Sequence, residues 1–158
     1  MQIELKRFTT NARLSQETTA FAADVWVDGK KAGTAENDGR GGCTLVHLDP
    51  SVRNQVETHG KPLVPPEYKN FVGGAEWIVD QLVEAELQKK SDKAFAKRLA
   101  KVDAQEKAAS AKRGLHAARL RHDDTWMWFG FKPGTDPKAV AEELAAKSQI
   151  LIDELVIL

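Results

Sequence analysis

Ten residues, AENDGRGGCT from Ala35 to Thr44, hold the densest set of groups able to bind or react. Successive backbone N–H groups in the run Asn37-Asp38-Gly39-Arg40-Gly41-Gly42 can converge on a phosphate or carboxylate, and Arg40 can add a bidentate contact. The spacing belongs to neither familiar phosphate loop. G-x-x-x-x-G-K-[ST] and G-x-G-x-x-G are both missing, and no βαβ unit surrounds the run. The expectation is therefore a rigid recognition loop, with Asn37, Asp38, Gly39, Arg40, Gly41 and Gly42 as contact residues. A small anionic-ligand site or enzyme centred on the same loop is the alternative. Cys43 would need a nearby histidine or helix N-terminus to become nucleophilic. On a strand, His47 points elsewhere, so Cys43 is expected as a small thiol buried under the loop.

The remaining reactive side chains do not assemble by spacing. His47, His59, His116 and His122 show no H-x-x-x-H or H-E-x-x-H pattern, so neither a metal, a cofactor nor a catalytic residue is expected. Asp123-Asp124 reads as the end of a basic stretch.

That stretch is the second signal. The formal net charge is zero, yet residues 88–122 carry eleven Lys/Arg against three Asp/Glu, while residues 61–87 and 123–158 are net acidic. Lys93, Lys97, Arg98, Lys101, Lys112, Arg113, Arg119 and Arg121 form the expected basic surface, on several sides of a helix. Such a surface neutralises phosphates without reading sequence. A solvated helix with i,i+4 pairs such as Asp103–Lys107 is the simpler alternative.

These groups must be positioned by an α+β chain. Phe21, Ala23, Val25 and Val27 alternate with Ala22, Asp24 and Trp26 as in a half-buried strand. Asp28-Gly29 marks a hairpin turn, and Lys31 to Glu36 returns. IELKRF is an opening strand and Thr44 to Leu48 a third-strand candidate. Asp49 caps a helix with Pro50 at its first position and Gly60 as its stop. Residues 61–74 form an extended connector packed by Leu63, Val64, Tyr68 and Phe71. From Ala75 the period turns helical, through Ile78, Leu82 and Leu87, then Phe95, Leu99 and Val102, to a stop at Gly114. One helix of that length would be near 60 Å long, so residues 88–122 are expected as a projecting arm or to break near Ser91. DTWMWFGF has bulky residues on both faces and reads as a central strand. Thr135 or Asp136 caps a last helix, and QILIDELVIL ends in a short strand. The expected fold is thus one domain over residues 1–158: a small N-terminal antiparallel sheet, a long basic helix or helix pair, and a C-terminal strand-helix-strand.

The run LSQETTAFAADVWVDGKKAGTAENDGRGG resembles the N-terminal hairpin of a group of small phage and bacterial proteins. Its pattern is E-T-x-x-F-x-A, then D-G-K, then N-D-G-x-G-G, here Glu17, Thr18, Phe21, Ala23, Asp28, Gly29, Lys30 and Asn37 to Gly42. EWIVDQLV, Glu76 to Val83, is similar too. The resemblance covers about the first half and brings no activity with it. It implies a phage or mobile-element setting, where small non-enzymatic proteins block host machinery. The expected function is a binding protein of that kind, an inhibitor of a host protein complex, with nucleic-acid binding by residues 89–121 as alternative. Self-association through the long helix is a further expected contact. One cysteine, no apolar run near 20 residues and no signal peptide point to the cytoplasm, away from any membrane.

Overall fold

A computed structural model describes residues 1–158. The chain is α+β and divides into two compact units, Met1–Ser91 and Asp92–Leu158.

In the first unit, strands β1 (Ile3–Thr10), β2 (Phe21–Val27), β3 (Lys30–Asn37) and β4 (Leu45–Leu48) form an antiparallel meander in sequence order. The β2–β3 connection is a two-residue turn in which Asp28 and Gly29 both take positive φ, the conformation that matches strand twist. One face of β2 presents Phe21, Val25 and Val27 to helices α1 (Pro50–Gly60) and α2 (Gly74–Lys112). Val25 and Val79 are fully or almost fully buried there, and Val56 of α1 is buried with Val27 in an adjoining cluster. Burying a side chain of this size contributes about 1.5–3 kcal/mol. On the opposite face of the sheet Asp24 is ion-paired with Lys31 and with Arg7, which sits in a bulge of β1. These two cations, Lys31 first, hold the Asp24 carboxyl below its ordinary range.

α1 starts as expected, with Asp49 capping the Ser51 N–H and Pro50 at the first turn. The connector that follows is less packed than expected. Val64 is buried, but Leu63, Tyr68 and Phe71 are exposed, and Tyr68 gains only a stack on Trp77. Its backbone turns on itself through Tyr68 instead of running extended.

α2 does not break at Ser91. It runs through 39 residues to Lys112, and Gly114 stops it with a positive φ. The division between the two units falls within this helix.

In the second unit, strands β5 (His116–His122), β6 (Thr125–Phe131) and β7 (Glu154–Ile157) form an antiparallel sheet in the order β6-β5-β7. Two expectations change here. HAARLRH, read as the tail of the basic stretch, is a strand, and it is the central one. TWMWFGF, expected at the centre, is an edge. β5 is buried on both faces, through Ala117 on one and Ala118 and Leu120 on the other. The bulk of β6 is only half-buried at most positions. Helix α3 (Pro137–Ser148), capped by Asp136, packs through the buried Ala141 and Ala145.

Candidate functional site

The glycine loop leaves β3 and folds back on the β1–β2 connector. The Gly39 carbonyl accepts the backbone N–H groups of Gln16, Glu17 and Thr18 at 2.9, 3.0 and 3.4 Å. The convergent amides predicted for the loop are thus found in the connector opposite, and a loop carbonyl fills them. Three of the loop's own amides are engaged as well. Gly39 donates to Asn37 Oδ1, Arg40 to Asp38 Oδ1 and Gly41 to Thr18 Oγ1. Asn37 is buried and works in three directions, accepting also from Thr18 Oγ1 and donating to the Gly42 carbonyl. The residues brought together are therefore Asn37, Gly39, Gly41 and Gly42, with Thr18 as the partner that sequence reading missed. Asp38 and Arg40 remain exposed. The loop is a closed element that displays two charged side chains.

Cys43 is exposed and not buried as expected, whereas its neighbour Thr44 is buried. Beside it lies a recess of about 290 Å³ lined by Thr18, Asn37, Cys43, Thr44, Glu76 and Asp80. Thr44 Oγ1 donates to Asp80 Oδ1 at 2.6 Å. Burial pushes the Asp80 carboxyl above its ordinary range. Glu76 is raised too, by burial and then by the neighbouring Asp80, against the backbone N–H groups of Gly73 and Thr44 that favour its ionised form. These two carboxylates stand four residues apart on α2, bordering the apolar stripe of Ile78, Val79 and Val83. Their spacing along that stripe was the available signal.

The basic residues separate into two groups. Lys93, Lys97, Arg98, Lys101, Lys107, Lys112 and Arg113 belong to or directly follow α2 and are all exposed. At ~100° per residue, the first six fall within about half of the helix circumference. The covered positions of the same segment, Leu99, Val102, Asp103, Glu106 and the buried Ser110, occupy the other side. All three acidic residues of the segment, Asp92, Asp103 and Glu106, lie on that other side too. The surface is therefore one-sided, where the charge count alone suggested several sides.

Arg119 and Arg121 are not part of this helix face. They are on β5, side by side with Trp128 and Trp126 of β6. Arg119 is only 13% exposed and donates to Asp103 Oδ2 at 2.7 Å, while Trp128 Nε1 donates to Asp103 Oδ1 at 2.8 Å. The Arg119 guanidinium also covers the Trp126 ring, 4.2 Å from its centroid. Asp103 is thus committed to this network, not to the expected pair with Lys107. Arg121 lies 3.7 Å from Glu154 of β7.

One group of side chains has metal-ligand chemistry. His122, Asp123 and Asp153 bring ligand atoms within 4.8 Å of one another at the β5–β6 turn. Asp153 Oδ2 already accepts the Asp123 N–H at 2.7 Å, and both carboxylates are exposed. No helix is long and apolar enough to cross a membrane. No known protein family, curated protein or solved structure matches this chain.

Proposed function

We propose that this chain is a non-enzymatic binding protein that engages an acidic macromolecule along the basic face of α2. The observation that carries this reading is the segregation of charge around the helix. Six cations occupy one half of it, and every acidic or covered residue of the segment lies on the other. A solvated helix with no partner gains more from mixing its charges, because like charges at i,i+4 repel and opposite ones attract. Lys93, Lys97 and Lys101 follow one another at i,i+4, an arrangement that costs stability in the free protein and is relieved by a bound polyanion. Affinity purification of the tagged chain from host lysate, with and without nuclease, tests the reading. Recovery of an acidic protein or of nucleic acid, lost in the Lys97→Glu/Lys101→Glu variant, is expected. Identical recoveries from wild type and variant would refute it.

The closed glycine loop favours a second contact. A loop fixed by its own hydrogen bonds displays Asp38 and Arg40 without an ordering cost on binding. That suits a host protein complex as target, and with it the inhibitor role that the resemblance to phage proteins implies. Arg40→Ala should then weaken capture of that protein while leaving contacts of the basic face intact.

A further inference from the structure

The geometry points to double-stranded nucleic acid, held by its phosphate backbone without regard to sequence, as the partner of the basic face of α2. This rests on the reading of that face as a polyanion surface and names the partner class. Three features of the face select it.

The first is regularity. Lys93, Lys97 and Lys101 stand one above another with a rise of ~6 Å per step, and Lys112 extends the line to ~29 Å from Lys93. A rigid row of cations is best matched by a rigid row of anions. A duplex supplies phosphates at fixed intervals along its axis, whereas a single strand or an acidic peptide must first be ordered to fit.

The second is what stands between the cations. Ala94, Ala104, Ala108 and Ala111 lie on the same half of the helix and are exposed. Side chains this short leave the lysine ammonium groups as the outermost layer and let a sugar-phosphate backbone approach.

The third is the absence of groups that would serve another partner. The aromatic residue of this helical segment is Phe95, half-exposed, and it falls on the side of Val102 and Glu106, away from the cations. Single-strand binders need aromatic platforms on which bases stack. Protein interfaces draw most of their energy from buried aromatic or aliphatic anchors. The face provides neither, and Lys-phosphate contacts alone suffice for a duplex.

The test is equilibrium binding by fluorescence anisotropy with the full-length chain and four probes. Two are duplexes of about 20 base pairs, longer than the ~29 Å face, with unrelated sequences. The third is a single strand of equal length and the fourth is poly-glutamate. Both duplexes should bind equally, and more tightly than the single strand. Their log affinity should fall with log salt at a slope of about −4 to −5, as for five neutralised phosphates. Lys97→Gln/Lys101→Gln should reduce the slope by about 2 and weaken binding roughly tenfold or more at moderate salt. These lysines are exposed, and an unchanged circular dichroism spectrum separates lost contacts from lost folding. A single strand that binds as tightly as the duplexes would overturn the inference, as would a large difference between the two duplex sequences. Binding of poly-glutamate alone would overturn it while leaving the polyanion reading standing. Binding of none of the four would remove both.

Discussion

The Glu57 carboxylate of α1 accepts the backbone N–H of Gly74, the first residue of α2, at 2.7 Å, and that of Ala75 at 3.0 Å. One helix thus caps another. An α-helix leaves its first N–H groups unpaired, and a carboxylate at that end gains from hydrogen bonding and from the helix dipole together. The same bonds, Ala75 first and then Gly74, hold the Glu57 carboxyl below its ordinary value of 4.5. A carboxyl lowered by folding stabilises the fold above its unfolded pKa, and the contribution fades as pH falls through the folded one. Glu57→Ala should cost about 1–2 kcal/mol near neutral pH and less in acid, where wild type has lost the same interaction. Urea unfolding at neutral and acidic pH measures both. An equal cost at the two would show that the carboxylate does not act as a cap.

The glycine loop makes a sharper claim about single positions. Gly39 has a φ of +84°, and a Cβ there would overlap the Leu14 carbonyl oxygen. Gly42 has an ordinary φ and open space around it. Gly39→Ala is expected to destabilise by roughly 2 kcal/mol or more, since strain of 1–2 kcal/mol for the left-handed conformation adds to the overlap. Gly42→Ala should be nearly silent. Thermal melts of the two variants decide it, and comparable losses from both would contradict the closed-loop geometry.

Much of the fold was legible because local chemistry and tertiary structure agree. Asp49-Pro50, Asp136-Pro137, Asp28-Gly29 and Gly114 each act where their residue types place them. β5 was not legible, because in HAARLRH two arginines interrupt a short run of alanines and leucine, and the surrounding charge hid the alternation. Only tertiary partners explain it: Asp103 on α2 compensates Arg119, so an arginine can stand in a central strand. The glycine loop stood out by its residue types, but its hydrogen-bond partner Thr18 and the recess with Glu76 and Asp80 did not. Glu76 and Asp80 share a helix face by their spacing, but Thr18 with the loop and Thr44 with Asp80 join segments far apart in sequence, and no periodicity encodes those meetings.

Asp80 offers the opposite pH behaviour to Glu57. Burial raises its carboxyl above the ordinary value of 3.8, and the Thr44 hydroxyl offsets this only in part. The folded chain therefore binds the proton more tightly than the unfolded one. That stabilisation is complete below the unfolded pKa and is lost as pH rises through the folded one. Asp80→Asn keeps an oxygen for Thr44 and carries no charge. It should raise the melting temperature by a few degrees near neutral pH and have a smaller effect in acid. A melting temperature lowered at neutral pH would mean that the Asp80 charge stabilises the recess.

Asp103 of α2 ties together two strands of the second unit's sheet. It balances the nearly buried Arg119 and takes the Trp128 indole N–H, with side-chain exposures of 20% and 13% for the ion pair. Removing one partner of a buried pair leaves the other charge uncompensated, at a cost of about 3–5 kcal/mol. Arg119 has no second carboxylate, and its Nε is already buried without a partner. Asp103→Ala should therefore destabilise by about 3 kcal/mol and shift tryptophan emission as Trp128 loses its acceptor. Asp103→Asn retains an acceptor for one of the two donors and should cost less. The double variant Asp103→Leu/Arg119→Met removes both charges and should recover most of the stability, because two apolar side chains replace a desolvated pair. If the double variant is as unstable as Asp103→Ala, the loss comes from packing of α2 on β5 and not from the stranded guanidinium.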